Sequence, residues 1–146
     1  MSTTFENYKY KVSCHNIVFE FFVLYSIFER VAKERTNSSD NFILEDLFEI
    51  IGNNFFNNIN YVDYELSKNP PQKSAWKKGK IGWKKFKVES SQDLYKGIKI
   101  LRNNLFHGTK FDPMNYTNND EKRNETLLKE GIELLEKILT ELNVSI

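Results

Sequence analysis

Three observations predict an all-α fold, four helices packed as a bundle. Apolar residues recur at helical spacing in four separate stretches of the chain. Only 3 Pro and 6 Gly interrupt 146 residues, too few for a fold of many short strands. The 12 Phe and 7 Tyr supply large side chains for one well-filled core. At this length a single domain over 1–146 is expected.

The first helix is expected from about Tyr10 to Lys33. Ten of the twelve residues from Ile17 to Phe28 are apolar, nearly all round the helix. Such a helix is either central in its own domain or covered by a second chain. The stretch contains Glu20 and Ser26 and falls well short of the roughly twenty apolar residues of a bilayer span, so no membrane anchor is expected. Thr36 to Ser39 forms a polar turn.

The second helix is expected from about Asp40 to Ile59, on the spacing of Phe42, Leu44, Leu47, Phe48, Ile51, Phe55 and Phe56. The Asn pairs at 53–54 and 57–58 are weak helix formers and predict a frayed or bent end. Residues 60–89 read as an insert. Pro70 and Pro71 block a helix there, and Gly79 and Gly82 offer turns. From Lys68 to Val88 there are eight lysines and no acidic residue. The net charge is +1, so the remainder of the chain carries about −7. Two similar pieces, at 76–80 and 83–87, predict a basic loop or short hairpin.

The third helix follows Ser90 or Ser91, either of which can cap it, and runs to about His107. Gly108 then stands where helices often end in a left-handed residue. Thr109 to Asn119, with Pro113, reads as a loop. The fourth helix begins near Asn119 or Asp120, with acidic residues early as the helix dipole prefers, and ends near Leu142. Leu127, Leu128, Ile132, Leu134, Leu135, Ile138, Leu139 and Leu142 form its apolar face, and Glu133 with Lys137 forms an i,i+4 pair.

The segment most informative about chemistry is Leu101-Arg102-Asn103-Asn104-Leu105-Phe106-His107-Gly108. At roughly 100° per residue, Leu94, Ile98, Leu101 and Leu105 share the core face. Asn103 and His107 fall on the opposite side with Lys96 and Ile100. Arg102 lies on the flank near Lys99 and Phe106. His107 therefore has no evident place in the core. At a helix C-terminus the dipole favours imidazolium, which moves the pKa upward into the range useful for proton transfer near neutral pH.

This segment resembles the motif of HEPN domains (higher eukaryote and prokaryote nucleotide-binding). These carry an Arg, usually followed by a polar residue, and a His after four to six intervening positions. Here Arg102 is followed by Asn103, four residues separate it from His107, and Gly108 follows the His, late in the third long helix of an α-bundle. The resemblance covers the helical layout and about ten residues of specific sequence. It implies a HEPN-like bundle and a metal-independent endoribonuclease. In that chemistry the RNA 2′-hydroxyl attacks the adjacent phosphate, leaving a 2′,3′-cyclic phosphate and a 5′-hydroxyl. It assigns His107 as general acid/base, Arg102 as the phosphate-stabilising cation and Asn103 as an orienting partner. It also implies a homodimer with a composite site at its two-fold axis. The biological setting it implies is a toxin–antitoxin or anti-phage effector, with a cognate antitoxin as a further partner. A non-catalytic module of the same type that binds a nucleotide, RNA or protein is the alternative, and an unrelated helical interaction protein a third.

Two features agree with an RNA partner and a second copy. An outward Asn103 and His107 would meet another protomer, which would also cover Ile100 and helix one. The lysines of the insert alternate with Trp76, Trp83 and Phe86, as an RNA-binding surface requires; Lys77, Lys78, Lys80, Lys84 and Lys85, with Lys99 on the third helix, are the candidate contacts. The simpler reading of the tryptophans is packing on the bundle.

No metal or cofactor is expected. Cys14, His15 and His107 are the only Cys and His, and neither a phosphate-cradling loop nor a dinucleotide fingerprint is present. A single Cys excludes a disulfide scaffold and fits a reducing, cytoplasmic setting. The polar first fifteen residues, with Glu6, Lys9 and Lys11, lack the pattern of an export signal.

Overall fold

The computed structural model describes residues 15–77, 80–106 and 118–144. Among them the chain is predominantly helical, with one two-stranded hairpin. The order is α1 (His15–Arg35), α2 (Leu44–Ile51), α3 (Asn53–Asn57), a 3-10 turn (Tyr61–Asp63), α4 (Glu65–Lys68), β1 (Lys73–Lys77), β2 (Lys80–Lys84), α5 (Ser91–Phe106) and α6 (Asn118–Glu141). No helix among the described residues is long and apolar enough to cross a membrane.

α1 packs most extensively against α6. Its buried residues, Phe21, Leu24, Tyr25, Phe28, Val31 and Ala32, recur at three- and four-residue spacing and form one stripe. The Phe21 ring reaches Gly131 of α6, and Arg35 Nη2 donates to the Leu142 carbonyl at 2.7 Å. Both contacts advance toward the C-termini, so the two helices run in the same direction. The nearly all-apolar sequence of α1 exceeds what this packing covers. Phe19 is 72% exposed and Val23 43%.

Gly131 permits the close approach of α1 and α6. A Cβ there would stand 2.9 Å from Phe21 Cε1 and 3.3 Å from Cδ1. Phe21 is fully buried and edged by the rings of Phe22 and Tyr25, at 6.0 and 6.1 Å, so it has little room to yield. Ala would gain up to about 1 kcal/mol of helix propensity over Gly, against about 1–3 kcal/mol for overpacking. Gly131→Ala is therefore expected to lower the urea midpoint, and Phe21→Leu to relieve part of that loss. A raised midpoint in the single variant would show that the ring moves freely.

The expected second helix is two. Gly52, at φ 87°, ends α2, and its N–H donates to the Phe48 carbonyl. α3 resumes for five residues. The break precedes the Asn pairs and comes from the glycine, which alone reaches this backbone region without strain. It brings Phe48, Phe55 and Phe56 around Tyr95, with ring centroids 5.0–6.4 Å apart.

Of the two forms expected for the insert, the structure has the short hairpin, preceded by the 3-10 turn and α4. Glu130 of α6 accepts the backbone N–H groups of Glu65 and Leu66 at 2.8 and 2.9 Å and so satisfies the open start of α4. The hairpin is antiparallel and places Lys73 opposite Lys84, Trp76 opposite Ile81 and Lys77 opposite Lys80.

Ser90 caps α5: its Oγ accepts the Asp93 N–H at 3.2 Å, and the Asp93 carboxylate accepts the N–H of Glu89, the residue before the cap, at 3.0 Å. The neighbouring Ser91 is buried and instead donates to the Ile59 carbonyl at 2.7 Å. Leu94, Ile98, Leu101 and Leu105 face the core as the periodicity predicts. The pair Glu133–Lys137 forms at 3.2 Å.

Candidate functional site

Arg102 sits late in α5, on the flank that turns toward α1. Leu101 and Leu105 bury the core face of this turn, and that anchoring sets the direction of the arginine. Its guanidinium meets groups on both helices. Nη1 donates to Asn103 Oδ1 at 3.1 Å. Nη2 lies 3.7 Å from Glu29 Oε1 on α1. Cζ lies 5.7 Å from the centroid of the Tyr25 ring, also on α1. Tyr25 and Glu29 are four apart on one helix and so share a face.

The Glu29 contact orients the cation and is weak. The Arg102 and Glu29 side chains are each about a third exposed, so solvent screens the pair to about 1 kcal/mol or less. The Tyr25 ring adds a cation–π contact of roughly 0.5–1 kcal/mol. Burial pushes the Tyr25 hydroxyl well above its ordinary range, and Glu29 adds to the shift while Arg102 opposes it, so the phenol stays protonated beside the guanidinium. A phosphate can displace one weak carboxylate contact while Asn103 and the ring still hold the fork.

Asn103 lines a groove of about 370 Å³ with Lys99, Ile100 and Phe86. Asn103 is partly exposed, in agreement with its place on the wheel, and Lys99 is exposed. Ile100 corrects the wheel reading. It is 6% exposed, because the segment entering α2 and the Phe86 side chain lie beside the same groove. This isoleucine is covered within the chain, and the expected interface loses it. Asn104, one position on, is 1% exposed and its amide donates to the Gln72 carbonyl at 2.9 Å, tying α5 to the start of the hairpin.

His107 and Gly108 lie outside the described residues, as do the 109–117 loop and Cys14. Of the candidate RNA contacts, Lys84 and Lys85 are exposed along with Lys99. Lys77 and Lys80 occupy strand positions, while Lys78 and the side chains of Lys77, Lys80, Trp76 and Trp83 lie outside the described residues. The i,i+4 pairing of Tyr25 with Glu29 is the signal that marks both residues once α1 is known to face α5. Among the described residues no three His, Cys, Asp or Glu side chains gather as a metal site.

No family model matches the chain, and no curated protein or solved structure shows significant similarity to it.

Proposed function

We propose that this chain is a HEPN-type endoribonuclease. Arg102 stabilises the charge developing on the scissile phosphate, Asn103 orients that arginine, and His107 transfers protons as the RNA 2′-hydroxyl displaces the 5′-oxygen. The nucleophile belongs to the substrate, so the protein supplies only proton transfer and charge stabilisation. The observation that carries the reading is the guanidinium held by Asn103, Glu29 and the Tyr25 ring one helical turn before His107 in sequence. An arginine in that setting presents two N–H groups in a fixed fork suited to phosphate. The exposed lysines 84, 85 and 99 supply the field that attracts a polyanion.

The same reading includes a homodimer in which two copies of the motif meet, and a role as a toxin or anti-phage effector in the cytoplasm under an antitoxin's control. Phe19 and Val23, exposed on α1, are apolar surface that a second copy would cover.

The test is cleavage of single-stranded RNA in EDTA by the wild type and by His107→Ala, with mass analysis of the ends. Cyclic phosphate ends from the wild type, and cleavage about 10²–10⁴-fold slower from the variant, are expected. RNA retained but uncut by both proteins would replace the nuclease with the non-catalytic binding module.

A further inference from the structure

We infer that the cleft between the base of the hairpin and the first turns of α6 is the binding groove for a single-stranded RNA segment, which it leads toward Arg102. The inference rests on the RNA reading above and adds residues to it. The cleft holds about 540 Å³, within the range of roughly 300–1,000 Å³ typical of ligand sites. Lys68, Lys85, Lys87 and Arg123 line it, and among the described residues Glu89 is the one acidic residue on its wall. None of these four cations forms an ion pair among the described residues. Lysines elsewhere in the chain are paired: Lys96 meets Glu45 at 3.1 Å, and Lys129 meets Glu125 at 3.0 Å. Four cations against one carboxylate on the described wall leave an excess of positive charge, which phosphates would balance.

Local structure explains how these charges are displayed. Residues 85–89 join β2 to α5 without regular secondary structure, and exposure alternates along them. Phe86 and Val88 turn inward and are half-buried, which leaves Lys85 and Lys87 exposed. Phe86 lies against Gly97 of α5, where an added Cβ would stand 3.5 Å from the ring. On the opposite wall, Arg123 Nη2 donates to the carbonyls of Asn69 and Pro70 at 3.2 and 3.0 Å. Carbonyl partners hold the guanidinium in place without cancelling its charge.

Phe86 also lines the neighbouring groove that contains Lys99 and Asn103. Phe86 is thus shared by the cationic cleft and by the groove that Asn103 lines, so the two hollows are neighbours. Cations along a groove with an aromatic side chain between them are the chemistry that holds unpaired strands, with phosphates on the lysines and a base against the ring. An aromatic ring among the cations favours a single strand, whose unpaired bases are free to stack.

The test uses the full chain carrying His107→Ala, so that RNA stays intact, and a labelled oligo(U) of roughly twelve nucleotides. Lys68, Lys85 and Lys87 are exposed, so Lys→Gln at all three leaves the fold in place. Binding is read across a salt series. The triple variant is expected to bind at least about tenfold more weakly at low salt, with the slope of log affinity against log salt reduced by about 2. A variant losing equal charge outside the cleft, at Lys33, Lys129 and Lys137, keeps the wild-type slope. Equal effects from both triples, or no binding of oligo(U) by the parent protein, would overturn the groove. Displacement of oligo(U) by oligo-glutamate of equal charge as efficiently as by unlabelled oligo(U) would reassign the cleft to an acidic protein partner. If the parent binds through the cleft yet the wild type never cuts RNA, the nuclease fails and the groove stands. If the wild type cuts RNA and the cleft triple binds unchanged, the groove alone fails.

Discussion

Arg102→Ala is expected to slow RNA cleavage by about 10²–10³-fold, the cost of removing one charge-stabilising group from a transition state. The loss should fall on the chemical step in single-turnover reactions. Arg102→Lys should recover little of it, because an ammonium cannot reproduce two parallel donors in a plane. Glu29→Gln removes the carboxylate that faces the guanidinium and leaves the arginine charged, so its cleavage rate should stay within a few-fold of wild type. The geometry also predicts that these effects do not come from unfolding. The Arg102–Glu29 pair is long, at 3.7 Å, and about a third of each side chain is exposed, so breaking it costs about 1 kcal/mol or less. Thermal melts of the three variants should therefore lie close to wild type. Cleavage by Arg102→Ala at the wild-type rate would remove Arg102 from the mechanism.

The largest expected loss of stability is at Tyr95. It is 2% exposed, stands among Phe48, Phe55 and Phe56, and donates its hydroxyl to the Leu134 carbonyl at 2.9 Å. Tyr95 thus joins α5 to α6 and to both short helices. Tyr95→Ala should cost about 3–5 kcal/mol in urea denaturation, by opening a cavity the size of an aromatic ring. Tyr95→Phe keeps the packing and should cost only about 0.5–1.5 kcal/mol, the net value of the hydrogen bond.

The pH dependence of the Tyr95→Phe effect follows from the same burial. Desolvation raises the Tyr95 hydroxyl well above its ordinary value of 10.0, with smaller contributions from Tyr64 and Glu133. The folded chain then holds a proton that the unfolded chain releases above about pH 10. The contribution is complete below that pH and is lost as pH rises further. Tyr95→Phe should flatten the alkaline limb of the stability curve, and an unchanged limb would mean that the hydroxyl is not buried. Tyr25, raised in the same direction, is expected to leave part of the limb in place.

Much of this molecule was legible residue by residue. The core face of α5 followed from the spacing of four aliphatic residues, and its cap was expected at Ser90 or Ser91. The Glu133–Lys137 pair needed only two positions on one helix. Each of these depends on a period or a local hydrogen bond and is complete within about one or two helical turns. The same locality explains the errors. Ile100 reads as outward on a wheel because a wheel sees only its own helix; the segment at 42–44 and Phe86, which share its groove, come from elsewhere in the chain. A continuous apolar pattern over 42–56 predicts one helix, and a single glycine conformation divides it.

By itself the sequence determined the helical class, the positions of the long helices, the charge of the insert and the motif Arg102-Asn103-x3-His107. Only the tertiary structure decided which groups surround the arginine and where the lysines of the insert point. It set Glu29 and Tyr25 of α1 beside Arg102, seventy residues away in the chain. It also brought Arg123, which no local pattern marks, across a cleft from Lys85 and Lys87. The physical reason is that helix formation is written in short-range periodicity. Which helix faces reach one another depends on burying the whole apolar surface at once, and no single segment contains that information.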